Sequence, residues 1–175
     1  MATQRIVLPI PGGFAPDGSG SGNNPATPEP MISGGSQTSN SPKASNIWLL
    51  FDPSTDEHWL WTFELPGDYA SGGTVAVIWS TKGTSTNSVY WKAAAAIGVV
   101  GTTDWDQIVF DTVVTGNGAA SSTQGVTTRT TMALTMTNAA ANRPMILMIG
   151  RDADNGSDNN ANDACLISAT FEYTA

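Results

Sequence analysis

Two aspartates, Asp104 and Asp106, flank Trp105 in a polar stretch of this 175-residue chain. Paired carboxylates are the groups that hydrolyse glycosidic bonds, and the apolar face of a sugar ring can stack on a tryptophan between them. On a strand, the two aspartates would share one face and the indole would take the other. We therefore treat Trp105, Asp104 and Asp106 as a candidate ligand platform. The alternative is an exposed loop whose tryptophan is tucked into the core.

A second acidic stretch, residues 152–163, carries aspartates among Asn, Ser and Gly residues. Carboxylates at alternate positions suit Ca²⁺, but Gly156 falls where a ligand should be and Ser157 where the turn glycine should be. A solvated loop is the competing interpretation, and the sequence leaves open whether this loop holds an ion. Arg151 is predicted to pin the loop by pairing with one of its aspartates: Asp152, Asp154 or Asp163.

The sequence offers few residues for nucleophilic catalysis, because the chain has one histidine, His58, and one cysteine, Cys165. A Ser/His/Asp or Cys/His relay would have to include His58, which the pattern places in a solvated turn at the head of a strand. Cys165 lies in an apolar run and reads as a small buried side chain, and a lone cysteine excludes a disulfide within the chain. Nucleophile-elbow and phosphate-loop motifs are absent from the sequence. We predict no enzyme, no cofactor and no metal.

The charge pattern argues against two classes of partner. The formal net charge is −8, and the seven Lys and Arg residues are scattered along the chain. Nucleic acid and anionic membranes both require clustered basic residues, so neither is an expected partner. No run approaches the roughly 20 apolar residues that span a bilayer, and the start of the chain lacks a signal-peptide pattern. The chain is expected to be made and kept in the cytoplasm until it assembles.

Eight runs of residues have the composition and alternation of strands: 46–51, 58–65, 74–80, 88–98, 107–114, 126–137, 144–151 and 164–174. Turn-forming residues separate them, including the Gly-Asn-Gly at 116–118. Alternation in several runs indicates one buried face per strand, and residues 93–96, four alanines, are interpreted as strand. Eight antiparallel strands with short turns predict an all-β, antiparallel two-sheet sandwich, with an eight-stranded jelly roll as the preferred form.

The first 45 residues differ from the rest, since they hold seven of the ten prolines and long Gly/Ser runs. Such a segment buries too little apolar surface to offset the cost of ordering it. We therefore predict two parts, an extended arm at 1–45 and a β-sandwich domain at 46–175, with the arm lying on partner subunits. The apolar residues of the arm are its predicted anchors: Ile6, Val7, Leu8, Ile10, Phe14, Met31 and Ile32.

Three stretches of the domain resemble the jelly-roll capsid decoration (cement) proteins of tailed bacteriophages. They are residues 56–66 (DEHWLWTFELP), 73–79 (GTVAVIW) and 147–152 (LMIGRD). The resemblance covers residues 46–175 and is architectural. It implies a homotrimer on the outer capsid surface of a virion, bound to the major capsid protein or another virion protein, that stabilises the shell.

Other functions stay open beside this one. A phage tail-fibre or receptor-binding head with a sugar ligand, or a carbohydrate-binding module of a larger enzyme, would use an exposed aromatic groove. Most of the tryptophans point inward by alternation, which favours core packing for Trp48, Trp59, Trp61, Trp79 and Trp91. Trp105 is the best candidate for an exposed platform.

Overall fold

The computed structural model describes residues 2–20, 22–32 and 43–175. Strands dominate these residues, and the only helical elements among them are two 3-10 turns, at Ile10–Gly12 and Trp105–Gln107. The strands are β1 (Thr3–Leu8), β2 (Asn24–Pro25), β3 (Thr27–Ile32), β4 (Ser45–Phe51), β5 (Glu57–Glu64), β6 (Ser71–Thr81), β7 (Ser88–Ile97), β8 (Val114–Ala119), β9 (Thr128–Ala133), β10 (Pro144–Arg151) and β11 (Ala164–Thr174). No helix in the described parts of the chain has the length and apolar character that crossing a membrane requires.

The strands form two sheets. Sheet 1 has the order β3-β4-β11-β6-β9, with β1 also paired to β11, and sheet 2 has the order β2-β5-β10-β7-β8. Counted from β4 as strand 1 to β11 as strand 8, the two sheets read 1-8-3-6 and 2-7-4-5, which is the strand order of a jelly roll. Among the described strands, all pairings are antiparallel except that of β2 with β5. The predicted all-β sandwich is confirmed.

Alternating side chains from both sheets make one core. Trp61 of β5 is buried, as are Trp79 of β6 and Trp91 of β7. The Trp91 ring packs edge-on against Phe51, with centroids 5.1 Å apart, and lies 5.9 Å from the Trp79 ring. These large rings give the sandwich its bulk, so the inward direction predicted for these tryptophans is correct.

One predicted strand, 107–114, is wrong. The chain runs irregularly after the Trp105–Gln107 turn, and β8 occupies Val114–Ala119 instead, across the glycines predicted to form a turn. A Cβ on Gly116 would lie 2.9 Å from the carbonyl oxygen of Thr131, and one on Gly118 would lie 2.6 Å from Thr130 Oγ1. The glycines therefore allow β8 to approach β9 closely at one side of the sandwich.

The N-terminal segment does not stand apart from the sandwich. β1 pairs along its whole length with β11, and β3 pairs with β4. The indole nitrogen of Trp61 donates a hydrogen bond to the carbonyl oxygen of Pro9 at 2.9 Å. Pro28 and Pro30 lie on β3, which is an edge strand where a missing N–H is tolerated. In the described residues, the predicted boundary at position 45 does not separate an arm from a domain.

The predicted anchor residues consequently differ in how deeply they are buried. Leu8 and Ile10 are buried in the core of their own chain, and Ile6 packs against it. Val7 is 65% exposed and Phe14 is 45% exposed. Met31 lines a surface groove, and the side chain of Ile32 and residues 33–42 lie outside the described part. The prediction of a separate arm considered the segment by itself, whereas strand pairing and burial against the domain supply the stabilisation that the segment lacks alone. Its contact with partner subunits stays a prediction.

Candidate functional site

Trp105 lies in a tight turn between β7 and β8. The carboxylate of Asp104 caps this 3-10 turn by accepting a hydrogen bond from the backbone N–H of Asp106 at 3.1 Å. The backbone N–H of Gln107 donates to the carbonyl oxygen of Asp104 at 3.1 Å. Asp104 and Asp106 are exposed and lie on this turn, so the trio is on a loop and the strand arrangement, with both aspartates on one face, does not occur.

The Trp105 indole rests against the last residues of β7. A Cβ built on Gly98 would lie 2.5 Å from Cζ3 of the indole and 3.6 Å from Cγ of Pro144. Only a glycine at position 98 lets the six-membered ring lie this close to the backbone. The indole is nevertheless 40% exposed. The turn and Gly98 thus hold an aromatic surface in a fixed place at the end of sheet 2, facing solvent.

A cleft of about 410 Å³ opens beside the same turn. Its lining combines short apolar side chains with hydroxyl, amide and carboxylate groups: Ile97, Thr103, Asp104, Gln107, Ile108, Val109, Asp111, Thr137 and Asn138. Asp111 ties the walls together, because its backbone N–H donates to Ala95 and its carboxylate accepts from the backbone N–H of Thr137, both at 2.8 Å. The volume falls within the ordinary range for small-ligand sites, about 300–1,000 Å³.

The acidic loop after β10 is organised around Arg151. The guanidinium is fully buried and all five of its N–H groups are used. Nε and Nη2 donate to the two carboxylate oxygens of Asp158, each at 2.8 Å. The carbonyl oxygens of Phe51, Asn160 and Asn162 accept the remaining bonds at 3.2, 2.5 and 2.9 Å. Arg151 does pin the loop, but through Asp158 and not through the three aspartates predicted to pair with it.

The other carboxylates of this loop face different cations. Asp152 and Asp154 join Asp56 in a cluster whose ligand oxygens lie within 4.8 Å of one another. The ammonium of Lys92 bonds Asp56 and lies 3.6 Å from Asp152, so this cluster already contains a positive charge. Asp163 instead lies 4.0 Å from the Lys82 ammonium. The loop therefore does not gather its carboxylates into a single calcium-type set.

The charges around Asp56 change its acidity. Burial raises the pKa of Asp56, but the hydrogen bond and positive charge of Lys92 outweigh that effect. The backbone N–H of Ala153 also donates to Asp56 at 2.7 Å, so the net pKa is lowered. Burial raises the pKa of the adjacent Glu57. Lys92 of β7 and Asp56, which precedes β5, consequently form an ion pair, and the loop is attached to it through the Ala153 N–H and the Asp152 carboxylate.

His58 and Cys165 are both buried. His58 is 6% exposed, so the predicted solvated turn residue is wrong, and its ring packs over Gly150 of the neighbouring strand. Burial, and then the charge of Lys92, lower the pKa of His58. Cys165 is fully buried as predicted, and burial raises the pKa of its thiol to about 12. A thiol with such a pKa is not a nucleophile at neutral pH.

A second groove, of about 490 Å³, was missed from the sequence. Trp48 forms part of it, together with the opposed charges of Glu29 and Lys82. Trp48 was assigned to the core, but its neighbours Leu49 and Phe51 are the core residues and Trp48 takes the outer face. The alternation along β4 was the only signal that could have shown this.

No protein-family model matches the chain, and no curated protein matches its sequence. Among solved structures it is similar to CBM35 from Cellvibrio japonicus Abf62, at 8% identity and a TM-score of 0.46 over 96% of this chain and 92% of that one. It is also similar to the xylan-binding module CBM15, at 14% identity and 0.45 over 99% and 98%. A third is TmCBM61 in complex with beta-1,4-galactotriose, at 9% and 0.41 over 99% and 88%. At TM-scores this low, these likenesses carry no argument about function.

Proposed function

We propose that this protein is a non-catalytic glycan-binding β-sandwich, and that the Trp105 turn with its cleft holds the sugar. The observation that carries the proposal is the Trp105 indole, fixed against Gly98 yet 40% exposed. An exposed tryptophan on a mobile loop would be unremarkable. Trp105 instead packs on Gly98 in a turn that Asp104 caps, so it presents a pre-organised flat surface, which reduces the entropic cost of binding.

The chemistry of the cleft suits a neutral sugar. A pyranose has an apolar C–H face that stacks on an indole and a rim of hydroxyl groups that need hydrogen-bond partners. Asp104 and Gln107, from the same turn as Trp105, line the cleft with Thr103 and Asn138, and Trp105 lies on the turn beside it. None of the described side chains that line this cleft is cationic, and the chain carries a net charge of −8. Phosphorylated or sulfated ligands are therefore disfavoured.

Affinity electrophoresis in gels containing a neutral polysaccharide (a glucan, a xylan or a mannan) tests the proposal. We expect at least one polysaccharide to retard the wild-type protein and to retard Trp105→Ala clearly less. Gly98→Ala should also be retarded less, because its Cβ displaces the indole. Gly156→Ala is the matched control, since a Cβ there meets no atom of the described residues within 4 Å. Equal retardation of wild type and Trp105→Ala by every polysaccharide that binds would refute the site.

The decoration-protein hypothesis stays a prediction, with its homotrimer, its capsid partner and its location on the virion surface. Its mechanism needs N-terminal anchors that are free to reach a neighbouring subunit, and Leu8 and Ile10 are buried in their own chain. Glycan binding needs no such arm. The absence of catalysis is likewise part of the proposal. Glycan binding is compatible both with a receptor-binding head on a phage tail and with a module of another protein.

A further inference from the structure

The groove around Trp48 lies on the outer face of sheet 1, away from the Trp105 cleft. Glu29 of β3 and Trp48 of β4 are directly paired in the register, so their side chains share one face. Thr81 and Lys82 at the end of β6, together with Gln124 and Gly125 of the β8–β9 connection, complete the groove. Its walls therefore come from four separate parts of the chain, and the volume is about 490 Å³.

The charged groups of this groove are able to change partners. Lys82 Nζ lies 2.6 Å from Glu29 Oε2, and the two side chains are 41% and 46% exposed. An ion pair this exposed contributes little to stability, so it can open when a ligand offers new hydrogen bonds. Once open, it provides an ammonium that donates and a carboxylate that accepts. Hydroxyl groups, which do both, match this pair better than a ligand with a single charge.

Trp48 supplies a second, independent observation. Its indole Nε1 is out of contact with solvent and has no hydrogen-bond acceptor among the described residues. Buried donors in folded proteins nearly always have a partner, and an unpaired one lowers stability. Trp48 therefore lines the groove and carries an unmet donor on the same side chain.

We infer that this groove is a second sugar subsite, in which a neutral pyranose packs on Trp48 and one of its hydroxyls accepts the indole N–H. The inference rests on the proposed function for its class of ligand. Because Nε1 is covered in the free protein, the groove must rearrange to expose it, and Lys82, whose ion pair opens readily, lines the same groove. Glu29 and Gln124 then hydrogen-bond the remaining hydroxyls.

Two subsites on one chain change what the module does. A single long polysaccharide that reached both would bind with the combined affinity of two linked contacts. Two separate chains would be cross-linked through the sandwich. A module with the Trp105 site alone would do neither.

The test follows the indole N–H signals of ¹⁵N-labelled protein during NMR titrations with cellohexaose, xylohexaose and mannohexaose. The signal of Trp48 is assigned by its disappearance in Trp48→Phe, and that of Trp105 by Trp105→Ala. We expect one of these sugars to shift the Trp48 signal, and to shift it equally in the Trp105→Ala variant. In Trp48→Phe, which keeps a ring but lacks the N–H, the backbone signal of Gly125 should report about two- to tenfold weaker binding in the groove.

The other possible results distinguish the second subsite from the proposed function. A Trp105 signal that saturates while Trp48 stays still would overturn the second subsite and leave the proposed function standing. A Trp48 shift that vanishes in Trp105→Ala would also overturn it, because the shift would then be a distant effect of one site. No shift of either signal with any of the three sugars would refute both.

Discussion

Arg151 and Asp158 form a fully buried, two-pronged ion pair, with both N···O distances at 2.8 Å, at the point where β10 leaves its sheet. The guanidinium also donates hydrogen bonds to three carbonyl oxygens from two different stretches of chain. This arrangement gives the acidic loop an internal cation of its own. The loop thus reaches a defined shape through a side chain, in the way that other loops use a metal ion.

Removing the charge of Asp158 should destabilise the protein strongly. In Asp158→Asn the buried guanidinium loses its counter-charge, and breaking such a pair costs about 3–5 kcal/mol of unfolding free energy. Urea unfolding followed by tryptophan fluorescence measures it. Asp154→Asn is the control, because Asp154 is exposed and should change stability by less than about 0.5 kcal/mol. Similar small effects for the two variants would mean that the pair does not organise the loop.

The N-terminal strand should behave as part of the domain. Leu8 is 3% exposed and Val7, its neighbour, is 65% exposed. Truncating the buried side chain in Leu8→Ala should lower the unfolding free energy by about 2–5 kcal/mol, whereas Val7→Ala should have little effect. Thermal unfolding of the two variants beside wild type makes the comparison. If Leu8→Ala matched wild type, the segment would be an arm after all.

Protonation of His58 should weaken the fold below neutral pH. The pKa of His58 in the folded protein lies below the ordinary value of 6.5. As the pH falls below about 6.5, the unfolded chain therefore binds a proton at His58 before the folded protein does, and this favours unfolding. Stability should therefore fall from pH 7.5 to pH 5.5. His58→Gln should flatten this slope, and the raised pKa of Glu57, which acts in the opposite direction, is common to both proteins. An unchanged slope in His58→Gln would assign the effect to other groups.

Cys165 should be inert in the folded protein. With its thiol fully buried and its pKa raised to about 12, it should not react with a disulfide reagent such as DTNB at pH 8. In guanidinium chloride, one thiol per chain should react rapidly, because the ordinary cysteine pKa is about 8.5. A native reaction rate close to the unfolded one would place Cys165 at the surface.

Local patterns in the sequence were sufficient for most of the sandwich. Two strands, 144–151 and 164–174, have the predicted bounds, because turn residues end them and apolar or alternating residues fill them. β8 could not be predicted in this way. Its glycines at 116 and 118 resemble a turn, and only the approach of β9, more than ten residues further along the chain, explains them.

For the candidate sites too, features set by local sequence could be predicted, and features set by distant contacts could not. The exposure of Trp105 was predictable because its sequence neighbours are polar. The outer position of Trp48 could have been read from the alternation along β4, but the groove itself could not, because Glu29 and Lys82 are distant from Trp48 in the chain and only the fold brings them together. The partner of Arg151 was missed for a related reason, since the path of the loop sets that contact.

Isothermal titration calorimetry of wild type and Trp105→Ala with cellohexaose, xylohexaose and mannohexaose is the sharpest test of glycan binding at the Trp105 turn. We expect at least one of these sugars to bind the wild-type protein. We also expect Trp105→Ala to weaken binding at this turn about 30-fold or more, the loss expected for an aromatic contact worth about 2 kcal/mol. Binding of equal strength to both proteins, or no heat with any of the three sugars, would contradict it.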